Sequence, residues 1–163
     1  LGRVYVYLSR KIQFPWTTEA GFGAITMDDD VFYNEMYLRS GQLTPSDIEI
    51  QTKKARDEIK NREKLFSSHL VPKSFEGKKL ILVDDGLASG ITMRTTLISL
   101  KKRNPFGIII AVPTAHKQTV LEFENIVAPS LGIPLEVISP DIREGYSFAV
   151  ADAYRYLLET EIY

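Results

Sequence analysis

Three short apolar runs, Leu80-Ile81-Leu82-Val83, Ile108-Ile109-Ile110-Ala111-Val112 and Leu135-Glu136-Val137-Ile138, stand well over a dozen residues apart, and the stretches between them repeat apolar residues at helical spacing. Strands spaced this way cannot be joined by tight hairpins, and the length of each crossover fits parallel neighbours connected by helices. Strands of a parallel sheet are covered on both faces, so they read as near-continuous Leu, Ile and Val rather than as an alternation. The pattern predicts an α/β fold with an open, mainly parallel twisted sheet flanked by helices.

The first run is also where the chemistry concentrates. It follows a charged turn, Glu76-Gly77-Lys78-Lys79, and leads into Asp84-Asp85-Gly86-Leu87-Ala88-Ser89-Gly90-Ile91-Thr92. In open α/β sheets ligands collect outside the carboxyl ends of the strands, and a helix that starts there offers backbone N–H groups and a partial positive charge to an anion. Gly86 and Gly90 let the loop close around that anion, and Thr92 caps the helix or gives its hydroxyl to a phosphate. Met93, Leu97 and Leu100 then face the sheet, Lys101, Lys102 and Arg103 fall in the last turn, and Asn104-Pro105 stops the helix. Two adjacent carboxylates repel unless something positive or hydroxylic lies between them, and a ribose diol with a magnesium ion answers both needs. The loop lacks the lysine of a Walker motif and the spacing of a dinucleotide fingerprint, so a single small phosphate is the expected guest.

At these residues the chain resembles the phosphoribosyl pyrophosphate (PRPP) motif of type I phosphoribosyltransferases: an apolar strand, two acids and a small loop ending in Gly-x-Thr. Ser89 stands where that family usually has Thr and keeps the hydroxyl. The resemblance implies that Asp84 and Asp85 are the catalytic acids that hold the ribose hydroxyls, with Mg2+ beside them directly or through those hydroxyls or water. It implies that Ala88, Ser89, Gly90, Ile91 and Thr92 wrap the 5-phosphate. Arg10 and Lys11, after the strand-like run Val4 to Leu8, are similar to the basic pair that ends a strand in adenine-type members, which implies neutralisation of pyrophosphate. Residues 14–23 then stand where the family has a flexible flap. The implied reaction is transfer of the 5-phosphoribosyl group to a nitrogenous base or similar acceptor, with release of pyrophosphate. A PRPP- or nucleotide-sensing regulator of the same fold would carry the same motif, and an unrelated sheet protein with a phosphate-like loop would carry part of it.

The order of basic pair, hairpin, long charged helix and aromatic tail is similar to that of a subgroup of uncharacterised bacterial and archaeal phosphoribosyltransferase-like proteins. The expectation is one domain over residues 1–163, lacking the N-terminal strand and pyrophosphate loop that the family carries upstream. Ala24 to Met27 and Val31 to Tyr33 predict a hairpin around Asp28-Asp29-Asp30, a solvated turn without the spacing of a calcium loop. Thr44-Pro45-Ser46-Asp47 predicts a helix start, with Ile48, Ala55, Ile59 and Phe66 on its buried stripe and Lys53, Lys54, Arg56, Asp57, Glu58 and Lys60 in solvent. His69 reads as structural. Pro113 to His116 should lie beside the phosphate loop, with His116 itself incidental, and Val120, Phe123 and Val127 mark a helix that ends before Pro129. Trp16 reads either as a lid residue or as a surface aromatic, and Tyr146 and Phe148 either as core or as stacking partners for an acceptor base.

Composition narrows the classes further. With 163 residues, 44 % hydrophobic and 25 % charged, the chain can bury one real core. A net charge of −1 argues against a DNA-binding surface, and no apolar run approaches membrane-spanning length. The absence of cysteine excludes disulfides, thiolate chemistry and cysteine-ligated metal. No leader-like segment opens the sequence, so a cytoplasmic protein is expected, and similar proteins suggest a homodimer.

Overall fold

Residues 14–20 turn the chain back so that β1 (Ser9–Gln13) lies antiparallel to β2 (Gly21–Thr26), and a second turn at Asp28 to Asp30 adds β3 (Val31–Tyr33) on the far side of β2. The expected hairpin is present, but the first strand begins later than Val4. β2 pairs Thr26 with Ser9 and runs no further, so Val4 is left exposed and Val6 makes only an isolated parallel bridge to Leu70. Arg10 and Lys11 therefore sit inside β1, opposite Ile25 and Ala24, rather than in a loop at its end. The computed structural model describes residues 2–145 and 150–154, and these divide into two units, the first made of the chain up to Ser74 together with Ile91–Arg103.

In this first unit, α1 (Glu35–Arg39) is capped by Asn34, whose side chain accepts from the Met36 N–H at 3.0 Å. The long α2 (Pro45–Leu65) starts as the sequence predicts. The Asp47 N–H donates to Thr44 Oγ1 at 3.1 Å, and the Thr44 N–H donates back to Asp47 Oδ2 at 3.0 Å. Ala55 and Ile59 are buried with Leu8, Ile12, Phe14, Phe22, Ile25 and Leu43 in one apolar cluster. Phe66 corrects the expected stripe: it follows the last helical residue and is 38 % exposed. Met93, Leu97 and Leu100 are buried on α3 (Ile91–Lys101), and that helix packs on β1, β2 and β3 of its own unit, whereas sequence neighbourhood suggests the parallel strands.

Asp28, Asp29 and Asp30 are not a freely solvated turn. Arg103 donates to both carboxylate oxygens of Asp28 at 2.6 and 2.8 Å, Arg56 pairs with Asp29 at 2.7 Å, and Lys102 pairs with Asp30. Glu58, expected in open solvent, pairs with Arg10 at 2.5 Å. The charged face of α2 thus anchors the sheet that it covers.

The second unit, Phe75–Gly90 with the chain from Asn104 onward, holds the parallel sheet. Its strands β4 (Lys79–Val83), β5 (Gly107–Ala111) and β7 (Leu135–Ile138) lie in the order β4-β5-β7, with Ile81, Ile109 and Glu136 in register. β4 forms the edge of this sheet, and its side chains alternate: Ile81 and Val83 are 64 % and 78 % exposed, so the strand is not buried on both faces as its composition suggests. β6 (Thr114–His116) and β8 (Asp141–Arg143) form a second short parallel pair. Between β6 and β7, α4 (Lys117–Glu122) runs through a π-helical turn at Phe123–Val127 into α5 (Ala128–Leu131). The helical path therefore does not stop before Pro129. That residue falls in the first turn of α5, where a missing N–H is least felt, and the chain leaves the helix at Gly132.

Candidate functional site

The carboxyl end of β4 delivers Asp84 and Asp85 into a loop. The Asp85 N–H donates to Asp84 Oδ1 at 3.0 Å, which folds the first carboxylate back over the second residue. Burial of the Asp84 carboxyl raises its pKa above the usual carboxylate range; the Asp85 N–H opposes this, while the Asp85 charge adds to it. Burial thus disfavours the charged form of Asp84 more than the Asp85 N–H favours it. Behind the pair, the Tyr154 hydroxyl donates to the Asp85 carbonyl at 2.5 Å, and the methyls of Val150 stand 2.7 Å from where a Cβ on Gly86 would lie.

Leu87 fixes the middle of the loop. Its N–H donates to the Thr114 carbonyl at 2.9 Å, and its carbonyl accepts from the His116 N–H at 2.8 Å, so the buried Leu87 is stitched to β6 like an added strand residue. The expected adjacency of Pro113 to His116 and the phosphate loop is thus present. The Ala88 carbonyl accepts from Thr119 Oγ1 at 2.5 Å. Gly90 has φ +69°, and a Cβ there would meet Phe123 Cε2 at 2.6 Å and Thr119 Cγ2 at 2.8 Å. Only glycine satisfies both the left-handed backbone and the lack of space. Ser89 is exposed, and the chain enters α3 at Ile91, which places Thr92 inside the first turn rather than at the cap.

Further back, β6 is held to β8 by Asp141, which accepts from Thr114 Oγ1 at 2.8 Å and from Arg143 at 2.7 Å; these bonds, Thr114's first, keep its carboxyl below the usual range. The ring of His116 bonds through Nε2 to the Gly145 carbonyl at 2.9 Å, a structural engagement. Tyr154, Thr114, Thr119 and Phe123 support the loop but carry no local sequence signature, because their partners lie about 30 to 70 residues away in the chain.

Asp84, Asp85, Ala88, Ser89 and Gly90 belong to the second unit and run straight on in the chain to Ile91 and Thr92, which open α3 and, like Arg10 and Lys11, belong to the first unit. There Arg10 is engaged by Glu58, and Lys11 Nζ donates to the Glu19 carbonyl at 2.9 Å. His69 is exposed, with its ring 2.8 Å from Ser68 Oγ. Tyr146 and Phe148 lie outside the described residues.

Chemically, the loop offers two neighbouring carboxylates on one side and a tight small-residue bend at a helix start on the other. Among the described residues no three His, Asp or Glu side chains converge as a metal cage. A metal held here would use one or two carboxylates and complete its shell from a bound molecule, the usual habit of magnesium beside phosphates.

A family model described as the phosphoribosyl transferase domain matches residues 39–127, more than half of the chain and all of this loop. Two proteins of Mycobacterium tuberculosis, MT0597 of strain CDC 1551 / Oshkosh and Rv0571c of strain ATCC 25618 / H37Rv, both provisionally named phosphoribosyl transferases, are 26 % identical over 155 residues, 95 % of this chain. The chain spans 33 % of the length of these curated relatives. The crystal structure of TT1426 from Thermus thermophilus aligns with a TM-score of 0.63 and 24 % identity over 93 % of this chain and 67 % of that one, a likeness in the α/β fold. Among the described residues no helix is long and apolar enough to cross a membrane.

Proposed function

Because the chain belongs to the phosphoribosyl transferase domain family, we propose that it serves transfer of the 5-phosphoribosyl group of PRPP to a nitrogenous base, with release of pyrophosphate. The observation that carries this reading is the single turn in which Asp84 and Asp85 precede a glycine-bent entry into α3. In the reaction the bond from the anomeric carbon to pyrophosphate oxygen breaks, and a base nitrogen supplies the electron pair of the new bond. The base gives up its proton to solvent. Between bond breaking and bond making the sugar carries positive charge, which adjacent carboxylates stabilise and water would destroy.

Asp84 and Asp85 would accept hydrogen bonds from the ribose hydroxyls, and Ala88 to Thr92 would take the 5-phosphate at the positive end of α3. A cation beside Asp84 would offset the burial that disfavours its charged form. A magnesium ion bound there would supply positive charge to the departing pyrophosphate.

Two measurements test the reading. Phosphorus NMR with PRPP, magnesium and a pooled panel of nucleobases should show base-dependent appearance of pyrophosphate, and the pool can then be split to identify the acceptor. Calorimetry should show that Asp84→Asn with Asp85→Asn lowers magnesium-dependent PRPP affinity by about a hundredfold or more, since each lost charged hydrogen bond contributes about 1.5–3 kcal/mol. Unchanged affinity in the double variant would sink the site. PRPP that binds but stays intact with every base would point to a sensor.

A further inference from the structure

Trp16 is the one tryptophan of the chain, and it stands 59 % exposed at the tip of the loop between β1 and β2. The loop is tied down at several points. The Phe14 N–H donates to the Ala20 carbonyl at 3.3 Å, Gln13 Nε2 donates to the Thr18 carbonyl at 2.7 Å, and Lys11 Nζ reaches the Glu19 carbonyl at 2.9 Å. One face of the indole is braced from behind. It stacks on Phe14 with centroids 5.1 Å apart and planes at 22°, and the buried Phe14 meets the Tyr37 ring edge-on at 4.9 Å. A large aromatic that is held by the core on one side and exposed on the rest of its surface is a pre-formed stacking platform, because little ordering is left for a ligand to induce.

Beside this platform lies a cavity of about 250 Å³, walled by the loop and by Gln51 and Lys54 of α2. Those two residues are three apart, so they share one face of the helix. Among the described residues Lys54 enters no ion pair, unlike Arg56 and Glu58 on the same helix. The volume lies below the range of about 300–1,000 Å³ typical of sites for drug-sized molecules, which limits an occupant to roughly one ring system. A flat face, an ammonium and a side-chain amide around one small cavity complement a planar ring with a negative substituent.

We propose that Trp16, Gln51 and Lys54 form a binding site for a small planar aromatic ring carrying one anionic group. The site lies wholly in the first unit and does not depend on the PRPP reading. Stacking on an aromatic side chain contributes roughly 1–3 kcal/mol, so loss of the indole should weaken binding about fivefold to 150-fold.

The single tryptophan makes the test direct, because a proton–nitrogen correlation spectrum shows one indole Nε1–H peak. Titration with benzoate should move that peak by a saturable ring-current shift. Benzamide, which has the ring without the charge, should bind about threefold or more weaker, and cyclohexanecarboxylate, which has the charge without the ring, should leave the peak in place. Lys54→Met should bring benzoate down to the level of benzamide with an unchanged thermal melt, since Lys54 is exposed on α2. A shift that never saturates, or the same response to all three probes, overturns the proposal. So does a Lys54→Met variant that binds benzoate like the wild type.

Discussion

Gly90 carries two constraints at once, and they predict different penalties. Its φ of +69° lies in the region that L residues enter at a cost of roughly 1–2 kcal/mol, and a Cβ would also press on the aromatic edge of Phe123 at 2.6 Å. Overpacking of that kind costs about 1–3 kcal/mol more. Gly90→Ala should therefore destabilise the protein by about 2–5 kcal/mol, read as a lower urea midpoint. A variant within about 0.5 kcal/mol of wild type would mean that Phe123 gives way freely. The strand, bend and helix start of this segment were legible in the sequence because its apolar run, glycines and Thr92 are neighbours in the chain. Its supports were not: Tyr154 and Thr119 reach Asp85 and Ala88 only through the fold, and single-residue patterns carry no trace of them.

Among elements, β5 and β7 were legible because a run of branched apolar residues at crossover spacing has few other uses, while β8 (Asp-Ile-Arg) has no strand composition and exists by pairing with β6. The turn at Asp28 shows what strand period cannot reveal. Tyr7, Ser99 and Arg103 converge on it from three segments: the Ser99 hydroxyl donates to Asp28 Oδ2 at 3.0 Å, and the Tyr7 hydroxyl lies 2.5 Å from Ser99 and 3.1 Å from Asp28. Burial pushes the Tyr7 phenol up to about 12; the Ser99 and Thr26 bonds oppose this, and the Asp28 charge adds to it. Burial also raises the Asp28 carboxyl, but its bonds from Arg103 and Ser99 outweigh that and leave it below the usual range. Asp28 thus contributes stability at neutral pH that is lost only as acid protonates it. For Tyr7 the direction reverses. Its contribution is complete below the unfolded pKa of about 10 and is lost as pH rises towards about 12, because the unfolded chain ionises first. Urea midpoints measured from pH 9 to 12 should fall for the wild type and fall less steeply for Tyr7→Phe. Equal slopes would show that Tyr7 ionises as readily folded as unfolded.

At the scale of the whole molecule, the segment that sequence order misplaces is α3. It is flanked on both sides by second-unit residues, through Gly90 before it and from Asn104 after it, yet its buried Met93, Leu97 and Leu100 serve the first unit, where it packs on β1, β2 and β3. Periodicity showed which face of α3 would be buried, but not against which sheet, since a helix stripe has no label for its partner. That assignment has a thermodynamic consequence. Ile12 is fully buried in the first-unit cluster, and Ile12→Ala should cost about 2–5 kcal/mol there. Amide protection follows the cooperative unit to which a segment belongs rather than its sequence neighbours. Hydrogen exchange read by mass spectrometry should therefore show peptides of α3 gaining deuterium in Ile12→Ala together with those of β1 and β2, and more than those of β5 and β7. If α3 instead keeps the protection of β5 while β1 and β2 lose theirs, the helix belongs energetically to the parallel sheet. The acidic loop and the helix it opens would then behave as one piece, as the sequence alone suggested.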